Sequence, residues 1–232
     1  MIDFDFQIKR SARRKTVSIC VYPDNRVVVS APYNAGKAHL MQIVEKKSDW
    51  IRAKLQANLQ RTRPLPQRQF KSGEKLLYLG VEYTLLVERG VPDMVAVADG
   101  RIRVRIPLDN PSSGSSPVRN RLIRWYAAQA LALIKKRVGH FAPRIGASPA
   151  SVTLKNLKSR WGSCSARGCI SLAWNIIMAP EEIVDYLVVH ELCHLVHHNH
   201  STEYWKLVES ILPDHRERRK WLRENGGLLT LE

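Results

Sequence analysis

The sequence predicts an α+β fold in which a basic, β-rich N-terminal region precedes a domain built round one central apolar helix. Residues 1–110 contain several short runs in which apolar and polar residues alternate, as in half-buried strands. Residues 111–117 are rich in serine, glycine and proline, which is typical of an exposed linker. Residues 118–232 contain the apolar spacing and the start and stop signals of helices. We therefore expect two domains joined by this linker.

The N-terminal region is predicted to be mostly β with one helix. Alternation predicts a hairpin of strands at residues 16–22 and 26–30, joined by the turn formers Pro23-Asp24-Asn25. Apolar residues recur at helical spacing between residues 37 and 60 and predict a basic amphipathic helix. Asp99-Gly100 favours a two-residue hairpin turn, and the further strands that we predict in this region are residues 76–79, 82–87, 94–98 and 101–106.

The C-terminal domain is predicted to be mainly helical. Ser116 can cap a first helix, which Pro117 begins and which ends near Val138 before Gly139. Pro180-Glu181-Glu182 begins a second helix, which is apolar nearly all round and is therefore expected to be buried. Two more helices are predicted, at residues 201–212 and from residue 216 onward.

Length and composition indicate an ordinary folded protein. The 232 residues are 44% hydrophobic and 25% charged, which supplies enough apolar material for a core. No run approaches the roughly 18 apolar residues of a membrane span, and the N-terminus lacks the layout of a signal peptide. We therefore expect a cytoplasmic protein with no membrane partner. The four cysteines are scattered, and we expect no structural disulfide.

The net charge of +16 lies entirely in the first 150 residues. Residues 1–150 contain 27 Lys and Arg against 11 Asp and Glu, whereas residues 151–232 contain 10 of each. Such a basic surface can attract nucleic acid or another polyanion, and the alternative is a solvated surface without such a partner. For Arg101, Arg103 and Arg105, which alternate along one predicted strand, we favour the solvated alternative because no aromatic residues interleave for base stacking.

The chemistry that the sequence predicts is concentrated at His190-Glu191-Leu192-Cys193-His194. On a helix, positions i and i+4 share one face, so both imidazoles can bind one Zn²⁺. The Glu191 carboxylate can then take a proton from a water molecule that the metal has made more acidic. His200 places a third imidazole just beyond the helix, where the chain can fold back. Three protein ligands and a water are the arrangement of a catalytic zinc site, with one Zn²⁺ per chain.

Other side chains are alternatives for individual roles. The rival third ligands are His197, His198, Glu203 and Glu209, since zinc accepts imidazole or carboxylate. Candidates to stabilise the negative charge that develops on the substrate are Arg160, Tyr204 and His215. The simpler alternative is a histidine-rich helix end that binds metal adventitiously.

Several blocks of this sequence resemble the YgjP-like metallopeptidase family. They are Arg160-Trp161-Gly162-Ser163-Cys164-Ser165, Gly168-Cys169-Ile170-Ser171-Leu172, Val189 to His194, and Asn199-His200-Ser201 with Trp205. The N-terminal region resembles the family as well, at Arg10 to Thr16, Ala31-Pro32 and Lys47 to Ile51. The resemblance implies a zincin-like core, related to SprT-like and WLM domains, with the three histidines as ligands and Glu191 as base. It implies no particular substrate.

We therefore predict a zinc metallopeptidase that hydrolyses peptide bonds in a peptide or protein substrate, with Glu191 as general base. The alternatives are a zinc hydrolase of a non-peptide substrate such as a nucleotide, and a nucleic-acid-associated protein with a structural metal site. Residues 170–174 alternate like a short strand, which we expect to be an edge strand that pairs with an extended substrate. Trp161 and Trp174 are expected to be core aromatics.

Overall fold

The computed structural model describes residues 2–22, 24–60, 68–107, 117–157 and 160–231. The chain divides into two compact units, Met1–Pro64 and Leu65–Glu232. Helices and strands occur in both units, so the fold is α+β, as predicted. None of the described helices combines the length and the apolar composition that crossing a bilayer requires.

The first unit contains a three-stranded sheet and two helices. Strands β2 (Ser18–Val21) and β3 (Val27–Pro32) form the predicted antiparallel hairpin, and Asn25 in its turn has a φ of 62°. Pro23 lies outside the described residues. Strand β1 (Gln7–Ser11), which was not predicted, pairs in parallel with β3 and makes β3 the central strand.

The predicted helix at residues 37–60 is two helices. Helix α1 spans Lys37–Lys46 and helix α2 spans Ser48–Gln60. Lys47 lies between them with a φ of −105°, outside the helical range. The core of this unit draws on both helices and on β3, and its buried members are Val27, Val29, Ala31, Leu40, Val44 and Ile51.

The second unit begins with a four-stranded sheet. All four of its strands were predicted, and they are β4 (Lys75–Tyr78), β5 (Val81–Arg89), β6 (Met94–Ala98) and β7 (Arg101–Ile106). Their order is β4-β5-β7-β6, with β5 and β7 parallel. Asp99 and Gly100 both have positive φ, 50° and 69°, as the predicted two-residue turn requires.

The two faces of strand β7 differ as its alternation predicted. Ile102, Val104 and Ile106 are buried in the main core of the second unit. On the other face, Arg103 and Arg105 lie 3.4 Å and 3.3 Å from the carboxylate of Glu88 on β5. Part of this basic face is therefore neutralised within the sheet itself.

Helix α3 (Pro117–Ile145) packs on this sheet. It continues past the end that we predicted near Val138. Gly139, which we expected to end the helix, lies inside it. The Tyr126 hydroxyl donates to the Leu77 carbonyl oxygen at 2.8 Å. The helix and the sheet share one core, which explains why strands β4–β7 group with the C-terminal part of the chain. The predicted linker was placed later than this division, and its residues 111–116, including the cap Ser116, lie outside the described residues.

A second sheet in this unit has three strands in the order β8-β10-β9. They are β8 (Ser151–Lys155), β9 (Gly162–Cys164) and β10 (Cys169–Ala173), with β10 parallel to β8 and antiparallel to β9. The expectation that residues 170–174 form an edge strand was wrong. Strand β10 is central, because β8 pairs with one of its edges and β9 with the other. Its residues Ile170 to Ala173 are also buried, on both faces of the sheet. The edge strands are β8 and β9.

Three helices complete the unit: α4 (Glu181–Cys193), α5 (Thr202–Ile211) and α6 (His215–Asn225). Helix α4 is buried almost all round, as predicted, and it contacts α3, β9, α5 and α6. A 3₁₀ helix (Trp174–Met178) leads into α4. The backbone amides of Leu79 and Gly80, between β4 and β5, donate to the carbonyl oxygens of Ile177 and Met178 at 2.9 Å and 3.1 Å. Helix α4 is thus packed against the other helices of this unit and against strand β9.

Candidate metal centre

Three histidines converge at the C-terminal end of α4. One ring nitrogen from each of His190, His194 and His200 lies within 4.8 Å of the other two. His190 and His194 are one turn apart, with His194 at the C-cap of α4, and His200 lies in the loop before α5. The Nε2 atoms of His190 and His200 are 3.2 Å apart. Because the spacing is that of ligands aimed at a common centre, the cluster can hold a metal ion.

The outer ring nitrogens of the two α4 histidines have hydrogen-bond partners. The Nδ1 atom of His194 lies 3.1 Å from the carbonyl oxygen of His197, which can only accept, so Nδ1 carries the proton. The Nδ1 atom of His190 lies 2.7 Å from the Tyr204 hydroxyl, which in turn lies 3.0 Å from the carbonyl oxygen of His190. If the hydroxyl donates to that carbonyl, Nδ1–H donates to the hydroxyl. Both Nε2 lone pairs are then directed at the cluster, the arrangement that supports metal-binding histidines.

The surroundings favour the neutral imidazole, which is the form that binds metals. Burial lowers the pKa of His190 to about 3, and the charges of the neighbouring histidines and Arg219 act in the same direction. Burial also lowers the pKa of His194 and of His200. All three nitrogens are therefore available as ligands at neutral pH.

Glu191 lies beside the cluster in a buried position, with 3% of its surface exposed. Burial raises the pKa of its carboxyl to about 7, and the charge of Arg160 opposes this shift. Its Oε2 atom is buried without a hydrogen-bond partner among the described residues. A buried carboxylate oxygen left in this way, next to three converging imidazoles, fits a site that receives a metal ion with a water molecule.

Strand β9 makes room for the carboxylate of Glu191. A Cβ atom at Gly162 would lie 2.7 Å from the Glu191 carboxyl carbon and 2.8 Å from its Cγ atom. Real Cβ atoms do not approach other atoms this closely, so a side chain at this position would force the Glu191 carboxylate to move. Gly162 lies in one of the sequence blocks that resemble the family, but no role was predicted for it.

An aromatic stack supports the third histidine. The Trp205 ring stacks on His200 and on His215, with centroid distances of 5.5 Å and 5.6 Å and interplanar angles of 21° in both cases. The guanidinium carbon of Arg219 lies 4.9 Å from the Trp205 ring centroid. Arg219, which sequence reasoning also missed, is exposed at the margin of the cluster.

The rival third ligands do not join the cluster. Among the described residues, the one group of metal-ligating side chains is that of His190, His194 and His200. His197 contributes its backbone carbonyl to His194 instead of its ring. Glu209 pairs with Arg216 at 3.3 Å.

The three candidate transition-state stabilisers lie in different places. Arg160 is exposed and its charge acts on Glu191. The Tyr204 hydroxyl is engaged by His190, which places Tyr204 behind a candidate ligand. His215 is buried against Trp205, and its Nδ1 atom has no hydrogen-bond partner among the described residues. Trp161 and Trp174 are half-buried and pack on the main core, as predicted.

Comparison with known proteins identifies the family of this chain. A family model described as YgjP-like, metallopeptidase domain, matches residues 15–225. The crystal structure of the metallopeptidase zymogen of Pyrococcus abyssi abylysin is 26% identical, with 39% of this chain and 93% of that chain covered and a TM-score of 0.36. A comparison with curated proteins found no match. The family match spans most of the chain, including the helix that carries His190 and His194 in the zincin-like core. This chain therefore belongs to the YgjP-like family of metallopeptidase domains.

Proposed function

We propose that this protein is a zinc-dependent metallopeptidase that hydrolyses peptide bonds with Glu191 as general base. One observation carries the proposal: three imidazole nitrogens within 4.8 Å of one another lie beside a buried carboxylate that has an unpartnered oxygen. Membership of a metallopeptidase family supports the reaction class. The choice of zinc, the single ion per chain and the roles of individual residues are our inference.

The three histidines would hold one Zn²⁺ and leave its fourth position open. Imidazole is a preferred zinc ligand, and three protein ligands distinguish catalytic from structural zinc sites. Bound there, the ion would lower the pKa of a water molecule and polarise the carbonyl group of the scissile bond. Tyr204 and the His197 carbonyl would keep the rings of His190 and His194 in the orientation and tautomer that ligation needs.

Glu191 is suited to move a proton. Its burial raises the pKa of the carboxyl, so the carboxylate is a stronger base than an exposed one. We infer that Oε2, which has no other partner among the described residues, accepts a proton from the attacking water. The same carboxyl then delivers that proton to the leaving amine nitrogen as the peptide bond breaks. Gly162 keeps the carboxylate in this place because any side chain there would displace it.

Strand β9 favours a peptide as the substrate. It is an edge strand, and its residue Gly162 lies against Glu191. An extended peptide can add to a free strand edge by main-chain hydrogen bonds, which would bring its carbonyl groups past the carboxylate. From the sequence we expected residues 170–174 to pair with the substrate. Because β10 is the central strand of its sheet, we assign this role to the edge strand β9 instead. A nucleotide would make no comparable use of a strand edge.

The test is hydrolysis of an unfolded protein such as casein by the zinc-loaded chain in H₂¹⁸O. We expect peptides whose new C-terminal carboxylates contain ¹⁸O, detected by mass spectrometry. Glu191→Gln should lower the rate by at least about a hundredfold, since general base catalysis commonly contributes that much. Turnover of nucleotides with no cleavage of peptides would contradict the proposal and favour the non-peptide hydrolase. The cytoplasmic location and a polyanion partner for the basic residues stay predictions.

A further inference from the structure

Arg219 differs from the other arginines of helix α6. Arg216 pairs with Glu209 at 3.3 Å, Arg218 with Asp214 at 2.8 Å, and Arg223 with Glu224 at 3.7 Å. For Arg219, no described residue supplies a carboxylate within ion-pair distance. Its guanidinium lies over the Trp205 ring, a contact that holds the group in place and leaves its N–H donors free.

The position of Arg219 connects it to the metal centre. The ring on which it lies is itself stacked on His200, and it is 6.1 Å from the His190 ring by their centroids. The exposed guanidinium therefore lies on the ring that packs against the cluster, where a substrate bound at the cluster can meet it.

The charges round the cluster are unbalanced. Arg219 lies over the Trp205 ring beside His200, and Arg160 precedes strand β9, whose Gly162 lies against Glu191; both arginines are exposed. The group of metal-ligating side chains among the described residues contains three histidines and no carboxylate. A bound divalent ion would add two positive charges, and the mouth of the site would then attract anionic groups.

We infer that Arg219 determines specificity by binding a carboxylate of the substrate near the scissile bond. This inference rests on the proposed peptidase function and adds the class of substrate. A planar guanidinium matches a carboxylate with two parallel hydrogen bonds, and such charge-assisted pairs are about twice as strong as neutral ones. The carboxylate comes from an acidic side chain or from the C-terminus of the peptide, and the two sources differ in where the negative charge lies.

The probes that test this inference are short peptides that end in a metal-binding hydroxamate. One series contains a single glutamate at the first, second or third residue from the hydroxamate, and each member has a glutamine counterpart. A further pair has the hydroxamate at the N-terminal end instead and compares a free C-terminal carboxylate with its amide. Affinities for the zinc-loaded full-length protein are measured by isothermal titration calorimetry, which requires no turnover.

We expect at least one carboxylate probe to bind about tenfold more tightly than its neutral counterpart, the effect of a partly exposed charge-assisted hydrogen bond. The preferred series identifies the source of the carboxylate. Arg219→Gln should abolish this ratio, and Arg219→Lys should keep only part of it because the two-pronged geometry is lost. Arg216→Gln, on the same helix and also exposed, is the matched control and should keep the full ratio.

Two results would contradict the inference: no preference for any carboxylate probe in the wild-type protein, or the same preference in Arg219→Gln. The neutral probes separate these failures from a failure of the proposed function. If the neutral hydroxamates do not bind the zinc-loaded protein, the metallopeptidase site itself is wrong, and the inference falls with it. If they bind but no carboxylate is preferred, only the role of Arg219 is wrong.

Discussion

The Tyr204 hydroxyl lies 2.7 Å from Nδ1 of His190 and 3.0 Å from the carbonyl oxygen of the same residue. Tyr204 itself is fully buried, so no solvent molecule can replace its hydroxyl without rearrangement. This double contact fixes both the tautomer and the orientation of the His190 ring. Tyr204 is therefore better placed to position a metal ligand than to touch the substrate.

Tyr204→Phe should weaken zinc binding by about tenfold, because removal of a partner of a ligating histidine typically costs that much. Zinc affinity is measured by competition with a chromophoric chelator. Tyr186→Phe is the control, since the Tyr186 ring packs at 5.7 Å from that of His190 without a hydrogen bond to its nitrogen. Equal affinities in the two variants would show that the Tyr204 hydroxyl does not position His190.

Gly162→Ala should reduce peptide hydrolysis by about a hundredfold while the protein retains its zinc. The new Cβ atom would displace the Glu191 carboxylate, and a shift of about 1 Å at a reacting group costs on this scale. The three atoms nearest to the new Cβ all belong to Glu191, so the direct effect falls on the base. Zinc content and initial rates are measured on the same preparation.

Gly139→Ala is the control for Gly162→Ala, because it makes the same substitution away from the site. A Cβ atom there meets nothing within 4 Å, and the residue lies inside α3. It should leave hydrolysis unchanged and raise the free energy of unfolding by about 0.5–1 kcal/mol, since alanine is a better helix former than glycine. Full activity in Gly162→Ala would mean that β9 yields to the side chain and that the glycine is not required.

The local parts of the site were predictable from the sequence. The i and i+4 spacing of His190 and His194 places both rings on one face wherever the helix lies in the fold. His200 was chosen over its rivals because a short excursion beyond the helix can return to the metal, and the structure brings its ring to the cluster. The strand pairs of the first hairpin and of β6 and β7 were predictable for the same reason, because their turns are short and local.

The parts that depend on distant contacts were not predictable. Strand β10 looked like an edge strand because its pairing with β8 joins segments that are separated in sequence. Strand β1 was missed because its residues Gln7–Ser11 are largely polar and exposed. Tyr204 gave no signal that its hydroxyl would bond to His190, and Arg219 is one of several charged residues in a run. Spacing along the chain defines which face a residue occupies but not what lies against that face.

The cysteine thiols should react in an order set by their pKa values. Hydrogen bonds with Ser151 and Ser165 lower the pKa of Cys169, whereas burial raises that of Cys164 and raises that of Cys193 to about 12. A lower pKa gives a larger thiolate fraction at neutral pH, and the thiolate is the reactive form. Iodoacetamide should therefore modify Cys169 faster than Cys164, and Cys193 only after unfolding.

Peptide mapping by mass spectrometry over a time course measures these rates. Cys164 and Cys169 form a matched pair because both are partly exposed and free. Equal rates for the two would show that their surroundings do not separate their pKa values. Modification of Cys193 in the native protein would show that α4 is less well packed than its burial indicates.

The most direct test of the central claim is the zinc content per chain of the purified protein and of two variants. We predict one zinc in the wild type, loss of that zinc in His200→Ala, and retention in Glu191→Gln, which keeps all three imidazoles while it removes the base. Elemental analysis against protein concentration measures all three. Absence of stoichiometric zinc in the wild type, or full retention in His200→Ala, would contradict a three-histidine catalytic site.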